Sequence, residues 1–185
     1  HALGMLLSLL NKLPQGDKQV RKGEWQREAN RGEELGGKTI GIIGYGHTGK
    51  QFARKLASFD VRVLCHDILD NVGDEYATQV PLSTIHDQAD VLSIHLPLNE
   101  STQQYVNHAF IESMKKSFWL ANTARGNQVV VEHLVKGLKA NKVKGACLDV
   151  LDVETTAFDL DVTQSEDWAF LTVSDQVIFS PHVAG

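Results

Sequence analysis

Six consecutive residues, Gly44-Tyr45-Gly46-His47-Thr48-Gly49, carry the most specific chemistry legible in the chain. They follow the β-branched apolar run Thr39–Ile43 and open a segment, Thr48–Phe59, in which Phe52, Leu56 and Phe59 recur at helical spacing. A glycine at the first position permits a tight turn, one at the second lets the backbone approach a diphosphate, and one at the third lets helix and strand pack closely. The helix that begins there directs free N–H groups at the phosphates. Alone the pattern is weak. A strand before it and a helix after it make it a dinucleotide-binding turn. Asp67 lies 18 residues beyond Gly49, at the end of the next apolar run, where a carboxylate would accept hydrogen bonds from an adenosine ribose. The same charge repels a 2′-phosphate, and no Arg or Lys follows closely, so NAD is expected rather than NADP.

Other polar groups close other apolar runs. Thr123, Ala124 and Arg125 follow Phe118–Asn122, and Asp149 follows Val143–Leu148, with Glu154 in the next stretch. Ser180, Pro181 and His182 follow Val177–Phe179, and His95, Leu96 and Pro97 follow Val91–Ile94. In a parallel sheet these strand ends share one edge, which is where ligands bind. An arginine, two acids and a histidine gathered there are chemically complementary and are expected to share a function.

The elements that must position these groups alternate along the chain. Leu3, Leu6, Leu7, Leu10 and Leu13 lie on one face of an opening helix, and Pro14 to Gly37 reads as helix end and connector. Strands are expected at 39–43, 61–65, 91–95, 118–122, 143–150 and 177–179. Helices are expected at 48–59, at 102–114 (in one or two pieces) and at 129–140, where Val131, Leu134, Val135 and Leu138 form a stripe. Thr155 to Asp175 shows no clear period. Strand alternating with helix predicts an α/β fold, a doubly wound parallel sheet with helices on both faces, and the near-continuous apolar strands fit a sheet covered on both sides.

The bulk numbers exclude several classes. The 185 residues suffice for one domain, and no apolar run approaches the ~18 residues of a membrane span. The opening apolar stretch lacks the basic flank and cleavage site of a signal peptide. Net charge is -5, but the last 37 residues hold eight carboxylates and no Lys or Arg, and the first 148 sum to +3. Without a clustered basic face, no nucleic-acid partner is expected. Cys65 and Cys147 each sit in an apolar run, which fits buried free thiols of a reducing cytoplasm, and their spacing supplies no metal site.

Taken in order, the turn Gly44–Gly49, Asp67, His95-Leu96-Pro97, Asn122-Thr123-Ala124-Arg125-Gly126, Leu148-Asp149-Val150 with Glu154, and Ser180-Pro181-His182 resemble the D-isomer-specific 2-hydroxyacid dehydrogenases. That family includes D-3-phosphoglycerate, glycerate and D-lactate dehydrogenases. The resemblance runs through essentially the whole chain and implies a Rossmann-type NAD-binding domain. It implies catalytic roles for three residues: Arg125 would bind the substrate carboxylate, His182 would act as general acid–base, and Glu154 would hydrogen-bond His182. Asp149 would hold the nicotinamide carboxamide. Gly44, Gly46, His47, Thr48, Gly49 and Asp67 would hold the rest of the cofactor, with Leu96, Pro97, Thr123, Ala124, Arg125 and His182 along it. No metal is implied. The substrate would be a small 2-hydroxy or 2-keto acid, and the parent protein a cytoplasmic homodimer. Residues 1–36 would be a linking helix and connector from an absent substrate domain and residues 37–185 the NAD-binding domain, so this piece is expected to bind NAD but turn over little. Two features depart from the family pattern. Thr155 stands where Pro is usual, before a longer loop to His182, which puts the Glu154–His182 pairing in question. His47 stands where Arg or a neutral residue is usual and is expected to meet phosphate through its backbone. A non-enzymatic NAD(H)-sensing module of the corepressor kind carries the same motifs. An adenosylhomocysteinase-like or L-specific dehydrogenase would not be expected to place Arg and His in these contexts.

Overall fold

The computed structural model describes residues 1–152 and 165–184. Among them seven strands form one sheet: β1 (Thr39–Ile43), β2 (Arg62–His66), β3 (Thr78–Gln79), β4 (Val91–Ile94), β5 (Phe118–Asn122), β6 (Val143–Leu148) and β7 (Val177–Phe179). Their order is β3-β2-β1-β4-β5-β6-β7, and every pairing is parallel. The chain runs outward from β1 to β3, then crosses back to place β4 on the other side of β1. The expected doubly wound sheet is therefore present, and the reversal between β1 and β4 opens a crevice at their carboxyl ends.

Alternation along each strand divides the core into two layers. Ile40, Ile42, Val63, Cys65, Trp119, Ala121 and Cys147 face one side, with α1 (Ala2–Leu10) and α3 (His47–Leu56) over them. Ile43, Leu64, Leu92, Ile94, Leu120, Ala146 and Leu148 face the other. That side is covered by α4 (Leu82–Gln88), α5 (His108–Ser113), α6 (Val131–Lys139) and α7 (Glu166–Val173). Each large apolar side chain fully buried this way contributes about 1.5–3 kcal/mol, which is why strands covered on both faces read as unbroken apolar runs. Both cysteines are buried free thiols, as expected. Burial pushes Cys65 up to about 11 and Cys147 up to about 12, so both are protonated and inert at neutral pH.

The sequence reading needs correction in several places. The segment read as a connector contains a second helix, α2 (Leu13–Arg21), none of whose residues is buried. Lys12, at φ 51°, turns the chain between α1 and α2. The short strand β3 and the helices α4 and α7 were not foreseen. The apolar face of α1 is not left open: Met5, Leu6, Leu9 and Leu10 are buried in the domain's own core, and only Leu13, at 57% exposure, faces solvent.

Candidate active site

Backbone conformation, not side chains, builds the turn after β1. Gly44 adopts φ +87°, and a β-carbon there would stand 2.7 Å from the carbonyl oxygen of His95 on the adjoining strand end. At Gly49 a β-carbon would collide with the Gly44 carbonyl, so only glycine lets α3 start this close to β1. Gly46 is the opposite case, since a β-carbon there would meet nothing within 4 Å. This open cradle lies at the start of α3, and no side chain caps the helix. The first N–H groups of a helix have no intrahelical acceptor and carry its positive end, so an uncapped start under open space fits a diphosphate. The residues present therefore fit NAD.

Asp67 follows β2 directly. One carboxylate oxygen accepts the Tyr45 N–H at 2.7 Å and the other accepts the Leu69 N–H at 3.0 Å. The acid is thus turned toward the glycine turn, with its orientation fixed by two backbone donors. The next residues, Ile68 and Leu69, are apolar and 93% and 64% exposed, and among the described residues no Lys or Arg forms an ion pair with Asp67.

A crevice of about 600 Å³ opens between α1, α3 and the ends of β4 and β5. Gly46, His47 and Thr48 form one wall; Leu96, Pro97, Thr123, Ala124 and Arg125 form another. Gln128 braces this second wall. It is fully buried, and its amide donates to the carbonyls of Leu96 and Pro97 at 3.1 and 2.9 Å. Asn122, also fully buried, donates to the Arg125 carbonyl and accepts the Ala124 N–H, which curls the chain after β5. The turn at Gly126 lies so close to Leu151 that a β-carbon would overlap the Leu151 carbonyl. Arg125 itself is exposed. Its guanidinium donates to the Ala124 carbonyl at 2.6 Å, and among the described residues no carboxylate pairs with it. A lone guanidinium on a crevice wall suits a carboxylate ligand.

His95 lies deeper in the same wall. Its Nε2 is 2.8 Å from the buried Ser93 hydroxyl, and its ring lies 5.4 Å from that of Phe52. Burial pushes its pKa down to about 4, so the imidazole is neutral in this wall at neutral pH.

The ends of β6 and β7 are organised around Asp149, which is only 1% exposed. Its carboxylate accepts the Ser180 hydroxyl, the Val183 N–H at 3.0 Å and the Ala184 N–H at 2.8 Å. His1 of α1's leading edge lies 3.5 Å from the same carboxylate and 2.8 Å from the Ser180 hydroxyl. Asp149 is therefore filled by its own chain and is not a wall of the crevice. Burial demands that its oxygens be satisfied, and residues 180–184 satisfy them. His182 sits on that segment with φ 54°, a left-handed conformation uncommon outside glycine, and its N–H donates to the Asp149 carbonyl at 2.8 Å. Glu154, and with it the expected Glu154–His182 pair, lies outside the described residues.

The structure thus gathers His47, Thr48, Gly46, Leu96, Pro97, Thr123, Ala124 and Arg125 around one crevice. Gly44 and Gly49 shape it from behind, Asp67 stands across the turn, and the His182 segment meets it through Ala184. Unforeseen were Gln51 and Lys55, and His1, Ala2 and Leu3 at the start of α1. The spacing of His47, Gln51 and Lys55 on successive helical turns was a usable signal. Nothing in the sequence placed His1.

Comparison with known proteins gives one answer. Residues 3–184 match the family model described as D-isomer specific 2-hydroxyacid dehydrogenase, NAD binding domain. The chain is 36% identical to a glyoxylate reductase of Thermofilum pendens, over 98% of this chain and 53% of that protein. It is 35% identical to a D-3-phosphoglycerate dehydrogenase of Haemophilus influenzae, over 99% of this chain and 44% of that one. The D-lactate dehydrogenase of Lactobacillus jensenii, solved with NAD+, superposes with a TM-score of 0.85 at 30% identity, covering 99% of this chain and 57% of the other. The chain spans about half the length of the curated relatives it matches.

Proposed function

The chain belongs to the D-isomer-specific 2-hydroxyacid dehydrogenases, as their NAD-binding domain, and from that premise we propose that it serves a longer enzyme that interconverts a D-2-hydroxy acid and its 2-keto acid. The observation that carries this reading is the uncapped start of α3 beneath the open Gly46, with Asp67 on one side and Arg125 on the other. Bound there, NAD supplies the hydride acceptor. The protein's own residues do the rest. The helix start and the glycine turn hold the diphosphate, and Asp67 accepts from the adenosine ribose. Leu96–Pro97 and Thr123–Ala124 confine the reacting end, braced from behind by Gln128. Arg125 grips the substrate carboxylate in a two-pronged contact.

His182 moves the proton at the substrate's hydroxyl or keto oxygen, a step that typically contributes about 10²–10⁴-fold. Glu154 pairs with His182. Asp149 acts at one remove, by tying down the segment that carries His182, which its bonds to Ser180, Val183 and Ala184 support. Residues 1–36 link this domain to a substrate domain, which closes the crevice and selects among phosphoglycerate, glycerate, lactate and glyoxylate. The working enzyme is a cytoplasmic homodimer.

Calorimetric titration of the chain with NAD tests the first half of the proposal. NAD should bind, NADP more weakly, and Asp67→Ala should lose about 10- to 100-fold in NAD affinity, the range of a hydrogen bond to a charged group. Unchanged affinity in Asp67→Ala would remove the ribose contact. A stereospecific screen of the full-length enzyme tests the second half: His182→Ala should leave NAD affinity nearly intact while turnover of D-2-hydroxy acids disappears.

A further inference from the structure

The second residue of the glycine turn has no part in the reading above, yet it is among the most buried in the chain. Tyr45 is 1% exposed, and its ring packs in the layer that holds Phe52, Cys65 and Ala77. Its phenol does not point at the crevice. It donates to Oδ1 of Asp74 at 2.7 Å, across the long connection from β2 to β3. Burial, and then the Asp74 carboxylate, push the phenol well above its ordinary range, so it remains a donor. Its own N–H goes to Asp67 at 2.7 Å. One residue of the turn thus grips both ends of the segment from Asp67 to Asp74.

Apart from Val72, which packs against the core, few side chains of that segment are buried. Ile68 and Leu69 are exposed, and the stretch contains neither helix nor strand. Its other ties run to β3 and to its own neighbours. Gln79 donates to the Leu69 carbonyl at 2.7 Å and accepts the Val72 N–H at 2.8 Å, and Asp74 accepts the Tyr76 N–H at 2.9 Å. These hold the middle of the loop to β3 and close its end on Tyr76. The Tyr45–Asp74 bond is what fastens its far end to the turn.

We propose that Tyr45 is a positioning residue for the adenosine half of the cofactor: through Asp74 its phenol anchors the loop that follows Asp67, and so fixes the acid that meets the ribose. The proposal rests on the NAD reading given above. A phenylalanine at 45 would keep the ring and its packing and delete only the tie. The loss therefore falls on ligand affinity and loop order, not on the core.

The test compares wild type with Tyr45→Phe, Asp74→Ala, Asp74→Asn and the double variant Tyr45→Phe/Asp74→Ala. Each is titrated with NAD, ADP-ribose and nicotinamide mononucleotide, and amide exchange is followed at Leu69, Val72 and Tyr76. Tyr45→Phe and Asp74→Ala should each weaken NAD and ADP-ribose by about 5- to 20-fold, the scale of one charge-assisted hydrogen bond. The double variant should lose no more than Asp74→Ala alone, which already lacks both the phenol's bond and the acceptor of the Tyr76 N–H. Asp74→Asn, which still accepts from the phenol, should stay within about 3-fold of wild type. Nicotinamide mononucleotide binding and the exchange of β1 amides should not move, while loop amides exchange faster. ADP-ribose affinity unchanged in Tyr45→Phe would overturn the proposal, as would losses in both single variants that add. So would a Tyr45→Phe effect that reaches nicotinamide mononucleotide and β1 equally, because that is the mark of a damaged core. Wild-type chain that binds neither NAD nor ADP-ribose would overturn the cofactor reading itself, and this proposal with it.

Discussion

The two ends of the crevice are built on opposite principles. At the β1–α3 end, the site exists because side chains are missing: Gly49 lets the helix start against the Gly44 carbonyl, and Gly46 leaves open space above uncapped N–H groups. At the β6–β7 end, one buried carboxylate, Asp149, gathers Ser180, Val183 and Ala184 and thereby shapes the segment that carries His182. The first end is a backbone surface waiting for an anion. The second is a side-chain hub already satisfied internally. A diphosphate needs many weak, fixed donors, which backbone supplies. A proton-transfer residue needs one imidazole held in one place, which a saturated hydrogen-bond cluster supplies.

The largest effects should come from adding atoms at the first end. In Gly49→Ala the new methyl has no space, because its obstacle is backbone and cannot rotate away. A loss of more than about 3 kcal/mol is expected, which for a chain of this size is a fall in Tm of roughly 6–12 °C. Gly46→Ala, one turn position earlier, points into open space and should leave Tm within about 2 °C while weakening NAD. Equal melting of the two variants would break the contrast drawn between a glycine required for packing and one required for access.

The second end should fail through deletion. Asp149→Ala strands a hydroxyl and two N–H groups that the carboxylate now receives, at a cost of about 2–4 kcal/mol in stability. Amide exchange at Val183 and Ala184 should accelerate while β1 amides stay protected. If exchange rises uniformly instead, Asp149 supports the whole sheet and not this segment.

These contrasts explain what the sequence revealed. The glycine turn was legible because its function is a backbone property, and glycine spacing records backbone directly. Thr39–Ile43 and Phe118–Asn122 were legible because burial on both faces leaves an unbroken apolar run. The helix α2 was not, since LPQGDKQVR buries nothing and so prints no period. Nor was α4, where Ile85 alone is buried, or α7, whose apolar residues are spread around the helix with only Leu171 buried. At the site, Arg125 could be placed from its strand end. The inward turn of Asp149 could not, because it depends on β7 lying beside β6, which brings residue 180 against residue 149. Leu6 and Leu10 were correctly seen as one apolar face, but a face alone does not name the surface that covers it.

Between the two ends stands His95, and its half-buried imidazole makes the wall sensitive to acid. With a native pKa of about 4 against about 6.5 in the unfolded chain, the unfolded state takes up the proton first as pH falls. Its contribution is therefore full above pH 6.5 and is lost progressively down to pH 4, by up to about 3 kcal/mol. Denaturant midpoints measured across that window should fall less steeply in His95→Gln than in wild type. Parallel curves would mean that other groups carry the acid sensitivity and that His95 is hydrated in its place.

The smallest effect should come from the residue that looks most like a phosphate ligand. His47 begins α3 beside the open Gly46, and a cationic imidazole there would be an obvious partner for a diphosphate. Yet the site at this end works through main-chain donors, which a side-chain truncation leaves in place. Alanine also favours the helix by a few tenths of a kcal/mol. His47→Ala should therefore change NAD affinity by less than about 3-fold at pH 8. A tenfold loss at pH 8 would show that the turn recruits side chains after all, and the division between a backbone end and a side-chain end would have to be abandoned.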